Sequence, residues 1–161
     1  MTLSITAAGW LHATLAAVGV IAGAVQLMRS KGDHVHRAVG YAYVYAMIAS
    51  DATAMLLTRF TGTFNVFHAG AIANFVCIVA AMVPLLRQQR QAGWLATHYR
   101  WITGSYIGLI AAAATELSVR VLPITGRGQA WLAAAVATVI VTVLGSILIR
   151  RNHPRASGAG F

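Results

Sequence analysis

Residues 32–41, GDHVHRAVGY, separate two long apolar runs and mark the first turn of a chain built mostly from such runs. The segment holds an aspartate, two histidines and an arginine, although only 9% of the 161 residues are charged and 58% are hydrophobic. Soluble domains are roughly one quarter charged, whereas the mean hydropathy here is +0.70. This composition predicts an integral membrane protein.

Five apolar stretches are long enough to cross a bilayer as helices, which takes about 20 residues each. They cover about residues 4–28, 38–58, 64–86, 98–121 and 129–149, and turn-forming residues separate them. We therefore expect an all-α integral membrane protein with about five transmembrane helices in a single domain, residues 1–151. The polar, glycine-rich residues 152–161 are expected to form a disordered cytoplasmic tail.

The net charge of +9 does not indicate nucleic-acid binding, because nearly all Lys and Arg lie at the ends of apolar runs, beside lipid headgroups. Nine of the twelve fall on one side of the predicted membrane, and Arg59, Arg120 and Arg127 fall on the other. The positive-inside rule then predicts a bacterial inner-membrane protein with its N-terminus outside and its C-terminus in the cytoplasm. The single cysteine, Cys77, excludes an internal disulfide.

Four successive predicted helices each carry one histidine, and the depth of these histidines alternates. Ionisable residues within membrane segments usually face the bundle interior and often mark function. Helices 1 and 3 of a four-helix bundle are usually diagonal, as are helices 2 and 4, so we expect an outer pair, His12 with His68, and an inner pair, His36 with His98. His34 cannot share the helical face of His36 and is expected in the loop.

Small and polar residues continue the faces of these histidines at helical spacing. His12 shares its face with Gly19 and Gln26. The other two stripes are His36, Gly40, Tyr43, Met47 and Ala54, with Asp51 near its edge, and His98, Ile102, Ser105, Leu109, Ala112 and Glu116. Small residues on such faces allow a flat ligand or a neighbouring helix to approach closely.

Three segments resemble a family of bacterial membrane proteins grouped as domain of unknown function 2306. The segments are GAVQLMRSKGDHVHRAVGYAYV (23–44), FNVFHAGAI (64–72) and THYRWITGSYIGLIAAAATELSVR (97–120). His36, Arg37 and Gly40 fall on the family's His-Arg-x-x-Gly element, with Tyr41 directly after Gly40. His68 and His98 fall on its other histidines, and Glu116 with Arg120 on its Glu-x-x-x-Arg ending. The resemblance implies a compact helical bundle and no established activity.

One histidine on each of four helices is the arrangement that a pair of b-type haems requires, since each low-spin haem takes two axial nitrogens from facing helices. It also resembles cytochrome b561, whose four core helices supply diagonal histidine pairs. We therefore expect a haem b protein that moves electrons across the bilayer and exchanges them with a quinone or another redox partner. Arg37, Arg100 and Lys31 could pair with inner haem propionates, and Arg120 with outer ones.

A metal site is the first alternative. His12, Asp51, His68 and Glu116 all belong to the predicted outer half of the membrane. Two imidazoles and a carboxylate suit zinc, and a further carboxylate could activate water, which would make an intramembrane hydrolase. Asp51 favours this hypothesis because a haem pair does not need it. Glu116 and Arg120, at i and i+4, could instead simply pair with each other.

Transport of protons or a small ligand is the second alternative. Asp51, His68, Glu116 and Arg120 could form a proton relay or a polar pocket. Helix 5 has no titratable residue between Arg127 and Arg150 and is expected to pack against the four-helix, histidine-bearing bundle or to form a homo-oligomer contact. Its small residues include Ala133, Ala137 and Gly145, which permit close helix approach.

Overall fold

The computed structural model describes residues 6–57, 63–87, 92–123 and 126–151. Within these ranges the secondary structure is entirely helical, with no strand. The five helices are α1 (Ala7–Met28), α2 (His34–Ala54), α3 (Val66–Leu86), α4 (Trp94–Val121) and α5 (Arg127–Arg151). The expectation of an all-α protein is therefore confirmed.

Four helices are long and apolar enough to cross a membrane, judged over the described part of the chain: α1, α3, α4 and residues 128–151 of α5. Although α2 is as long as α3, at 21 residues, it does not meet this measure. The reason is its composition, which includes Arg37, two histidines, Ser50 and Asp51. Large apolar side chains are exposed along the other helices, for example Ile21, Leu132 and Leu148, as lipid-facing surfaces require.

Two helices, α2 and α4, begin four residues earlier than the apolar pattern predicted. α2 begins at His34 because Asp33 caps it, with its Oδ1 accepting the His36 N–H at 2.6 Å. The expectation that His34 lies in a loop was therefore wrong. α4 begins at Trp94, four residues before His98. Apolar periodicity did not locate either start, since the Asp33 cap precedes α2 and a left-handed Gly93 precedes α4.

Glycines make the turns before both helices. Gly32 has a φ of +94° in the connection between α1 and α2, and Gly93 has a φ of +80° directly before α4. Other residue types rarely adopt these backbone angles. The turns predicted from residues 30–33 and 87–93 therefore rest on glycine at two positions.

The chain forms two compact units, residues 1–80 and 81–161. In the first unit α1 packs on α2, with Gly19, Ala22 and Gly23 buried on α1. The buried residues of α2 are Tyr43, Val44, Ala46, Met47 and Ser50. The face predicted for α2 is thus buried at Tyr43 and Met47, and the small face of α1 lies against it.

In the second unit α4 packs on α5. The predicted α4 stripe is buried at Ser105 and Leu109, but Ala112 and Glu116 are exposed. On α5 Gly145 lies against Ile107 of α4, and Ala134 is buried. Within this unit α5 therefore packs on α4, and its expected place against a four-helix bundle stays a prediction.

Several expectations fall outside the described residues. They concern the first residues of the chain, the positions of Arg59, Arg90 and Arg155, the Arg127 side chain, and the tail 152–161.

Candidate functional site

His12 lies half-buried near the start of α1 and reaches across to α2. Its Nδ1 is 3.0 Å from the Ser50 carbonyl oxygen, with the hydroxyls of Ser50 and Thr53 at 3.3 and 3.4 Å. A carbonyl oxygen can only accept, so this hydrogen bond assigns the proton to Nδ1. In the neutral ring the other nitrogen, Nε2, then carries a lone pair, and it has no hydrogen-bond partner among the described residues. Histidines that bind a metal are commonly held in this way.

His98 repeats this arrangement in the second unit. It is half-buried in the second turn of α4, and its Nδ1 donates to the Ala81 carbonyl at 2.9 Å. The proton again belongs on Nδ1, and Nε2 is again left with a lone pair. Two of the four predicted histidine ligands therefore have the tautomer that ligation through Nε2 requires.

His68 has the opposite tautomer. It is 3% exposed, stacks on Phe64 with ring centroids 5.2 Å apart, and accepts the Asn65 N–H at Nδ1 over 3.2 Å. The Asn65 side chain in turn accepts the Phe67 N–H at 2.9 Å. The side chains of His68 and Asn65 thus accept two backbone N–H groups at the start of α3, as the side chains of a capping box do. Because Nδ1 accepts, neutral His68 carries its proton on Nε2.

His36 is tied to α1 through its backbone. Its carbonyl accepts the Gln26 Nε2–H at 2.5 Å. Gly40, one turn further along α2, leaves room for this carboxamide, because a Cβ on residue 40 would lie 2.7 Å from the Gln26 nitrogen. The face predicted for α1 therefore meets the stripe predicted for α2 at this point, and a hydrogen bond between the helices forms there.

The connection between α1 and α2 carries two ionisable side chains whose pKa values are lowered. The His36 backbone N–H, followed by the Arg29 guanidinium, holds the pKa of Asp33 below its usual value. Burial lowers the pKa of Lys31, whose ammonium donates to the carbonyls of Gln26 and Leu27 at the end of α1. These contacts satisfy helix ends on both sides of the turn.

The three arginines predicted to hold propionates differ in their surroundings. Arg37 is exposed in the first turn of α2, and Arg100 is exposed in the second turn of α4. Arg120 donates from Nε to Glu116 at 2.8 Å and also from Nη2. Both members of this pair are about 60% exposed. The i, i+4 pairing foreseen between Glu116 and Arg120 is therefore present.

Asp51 contacts an amide rather than a histidine. Asn74 of α3 donates from Nδ2 to the Asp51 carboxylate at 2.8 Å. The four predicted zinc ligands are not brought together: among the described residues no group of three or more His, Cys, Asp or Glu could hold a metal ion. Sequence reasoning missed Asn74, although an amide within an apolar run is itself a signal, because polar side chains are costly in lipid.

The apolar helices and their exposed surfaces define an all-α integral membrane protein. A family model described as a predicted membrane protein, DUF2306, matches residues 9–149. The chain therefore belongs to the DUF2306 family, as the three sequence segments implied. No curated protein and no solved structure matches the chain.

Proposed function

We propose that this protein binds haem b within the membrane and moves electrons, exchanging them with a quinone or a protein redox partner. The observation that carries the proposal is the shared geometry of His12 and His98. Each imidazole lies in an apolar helix, donates from Nδ1 to a backbone carbonyl and has its Nε2 lone pair available. A bound haem would supply reversible one-electron exchange.

The residues present fit a haem ligand best at these two positions. The Ser50 carbonyl orients the His12 ring, and the Ala81 carbonyl orients the His98 ring. Such hydrogen bonds fix the tautomer and raise the basicity of the ligating nitrogen. In the first unit, ligation through Nε2 of His68 would require its proton to move to Nδ1. His68 would then no longer accept the Asn65 N–H at Nδ1. We therefore propose that His68 is the weaker axial ligand in any outer pair.

The exposed arginines Arg37 and Arg100 are candidates for haem propionates, because a guanidinium can bind a carboxylate with two parallel hydrogen bonds. Arg120 is a poorer candidate because Glu116 already accepts from it. The proposal therefore rests on His12, His98 and these two cations.

We further propose that α2 is a fifth span despite its polar composition. Hydrogen bonds join α1 to α2 near both ends of the helix pair, from His12 to Ser50 and from Gln26 to His36. The two bonded residues on α1, and likewise the two on α2, are fourteen residues apart, which is roughly 21 Å of helix. The two helices thus run side by side over most of a bilayer core, and α1 satisfies polar groups of α2. The excess of cations on one side then favours a cytoplasmic C-terminus in a bacterial inner membrane.

The test is an absorption spectrum of the protein purified in mild detergent from cells supplied with haem precursor, taken oxidised and then reduced with dithionite. We expect a Soret band with sharp reduced α and β bands. His12→Ala and His98→Ala should each lower the haem content per chain by about half or more. His68→Ala should keep most of the haem and change mainly the spin state.

His34→Ala is the matched control, because His34 is exposed at the start of α2. Its haem content should equal that of the unaltered protein. A colourless protein, or haem content that His12→Ala and His98→Ala leave unchanged, would contradict the proposal. Elemental analysis of the same sample adds a direct check, since one zinc per chain without haem would favour the metal-site alternative.

A further inference from the structure

The chain has three carboxylate side chains, and the structure treats one of them differently. Asp33 pairs with Arg29 at 3.3 Å, and Glu116 pairs with Arg120. Both pairs lie at i and i+4 on well-exposed surface. Asp51 is half-buried in α2, and its carboxylate accepts from the neutral Asn74 amide. No cation pairs with Asp51 among the described residues.

Two titratable groups lie near Asp51 on the neighbouring helices, and neither is an arginine or a lysine. On α1 such a group is His12, which donates to the carbonyl of Ser50, in the peptide group that Ser50 shares with Asp51. On α3 it is Cys77, one turn beyond Asn74 and within electrostatic reach of Asp51. Neither group forms an ion pair with Asp51, since the ion pairs among the described residues are Arg29 with Asp33 and Arg120 with Glu116.

The position of Asp51 on its helix also disfavours a negative charge. Asp51 lies in the last turn of α2, which ends at Ala54. Helix C-termini carry a partial negative charge, so an anion there is repelled. An unpaired anion in a membrane segment is costly as well. Binding one proton removes both penalties, and the Asn74 N–H can still donate to the carbonyl oxygen of the resulting carboxylic acid.

We propose that Asp51 is a proton-binding site within the membrane, protonated at neutral pH and hydrogen-bonded to Asn74. The step is the addition of one proton from water to the carboxylate, and its reversal returns that proton. Exchange occurs at the end of the first unit where α1 begins and α2 ends, because Asp51 is only three residues, or about 4.5 Å of helix, from Ala54. This inference rests on the proposed span of α2 and does not depend on haem.

The small number of acids makes a clean test possible. In the full-length Asp33→Asn variant, Asp51 is the single aspartate left. We would reconstitute this variant in lipid with and without ¹³C-carboxyl aspartate and record infrared spectra from acid to alkaline pH. We expect a protonated carboxylic acid band at pH 7 that moves to lower frequency with the label. This design assigns the band without altering Asp51.

Two further variants separate proton binding from a structural role. Asn74→Leu removes the hydrogen-bond donor, so the labelled band should move to higher frequency. Glu116→Gln, which removes an exposed and paired acid, should leave the band unchanged. If the labelled band is absent at pH 7 and only the carboxylate bands carry the label, the proposal is overturned. A carboxylate signal that responds to added sodium ions at constant pH would overturn it in favour of a metal-cation site.

Discussion

Gly145 is a position where one missing methyl group decides how two helices meet. A Cβ built there would lie 2.8 Å from Cγ1 and 2.9 Å from Cδ1 of Ile107. Real Cβ atoms do not approach other atoms so closely, so Ile107 would have to move. Gly108, in the same region of α4, has nothing within 4 Å of its own Cβ position. Substitution of Gly145 therefore tests helix packing, whereas substitution of Gly108 tests helix propensity alone.

We expect Gly145→Ala to lower the free energy of unfolding by about 1–3 kcal/mol relative to Gly108→Ala, because overpacking costs this much. Gly108→Ala should be neutral or stabilising, since Ala is favoured over Gly in helices by up to about 1 kcal/mol. Thermal unfolding in one detergent, followed by circular dichroism, measures both. In an Ile107→Ala background the penalty at residue 145 should disappear. Equal effects of both glycine variants would argue against close packing at Gly145.

The histidines illustrate what residue type leaves undecided. Spacing along the chain treated His12, His68 and His98 alike as ligand candidates. Hydrogen bonds from the surrounding backbone then divided them, because two rings donate to carbonyls and one accepts an N–H. A tautomer depends on the partner within 3 Å, and that partner lies on another helix for His12 and His98.

At the scale of a helix, the start of α2 is set by a charge. Asp33 accepts the His36 N–H, and that contact is the main reason its pKa is depressed. A depressed carboxyl pKa means that the folded state binds the proton less tightly than the unfolded state. Its contribution to stability is therefore complete at neutral pH and is lost as the pH falls through the folded pKa of Asp33.

We expect the free energy of unfolding of the unaltered protein to fall more steeply in acid than that of the Asp33→Asn variant. Asparagine also caps helices well but does not titrate. The difference between the two proteins should be constant near pH 7 and should shrink between about pH 5 and pH 2. Thermal unfolding at stepped pH measures it. Glu116→Gln controls for a general loss of acidic charge, and a pH-independent difference would show that the Asp33 charge has no part in the cap.

At the scale of the whole molecule, the number of spans decides which connections share a side of the membrane. Single cysteines at Ser30, Ala92 and Leu122, in a Cys77→Ala background, would mark the connections before α2, before α4 and after α4. If α2 spans, positions 30 and 92 lie on one side and position 122 on the other. If α2 does not span, positions 30 and 122 lie together and position 92 lies opposite.

We expect a membrane-impermeant maleimide to label the Leu122→Cys protein in intact spheroplasts. The Ser30→Cys and Ala92→Cys proteins should react only after permeabilisation, because their side carries the larger number of cations. Cys77→Ala alone is the background control. Labelling at positions 30 and 92, with none at 122, would reverse the orientation. If positions 30 and 122 are labelled under the same condition and position 92 under the other, α2 is not a fifth span.

The sequence by itself determined the class of protein and most of its helices. Long apolar runs with few charges leave helices as the available structure in lipid, because every backbone polar group must be satisfied within the segment. Turn residues such as Gly32 and Gly93 then located the breaks. The pairing of Glu116 with Arg120 was also readable, since it depends on helical spacing alone.

Only the tertiary structure decided how the polar residues are used. Asn74 meets Asp51, and Gln26 meets the backbone of His36, across helix contacts that no spacing within one helix encodes. The exposed position of Glu116 likewise follows from how α4 packs on α5. Hydrogen bonds and electrostatic pairing act over a few ångströms in space. The composition of each helix therefore fixes that it forms, while its neighbours fix which of its side chains remain available for chemistry.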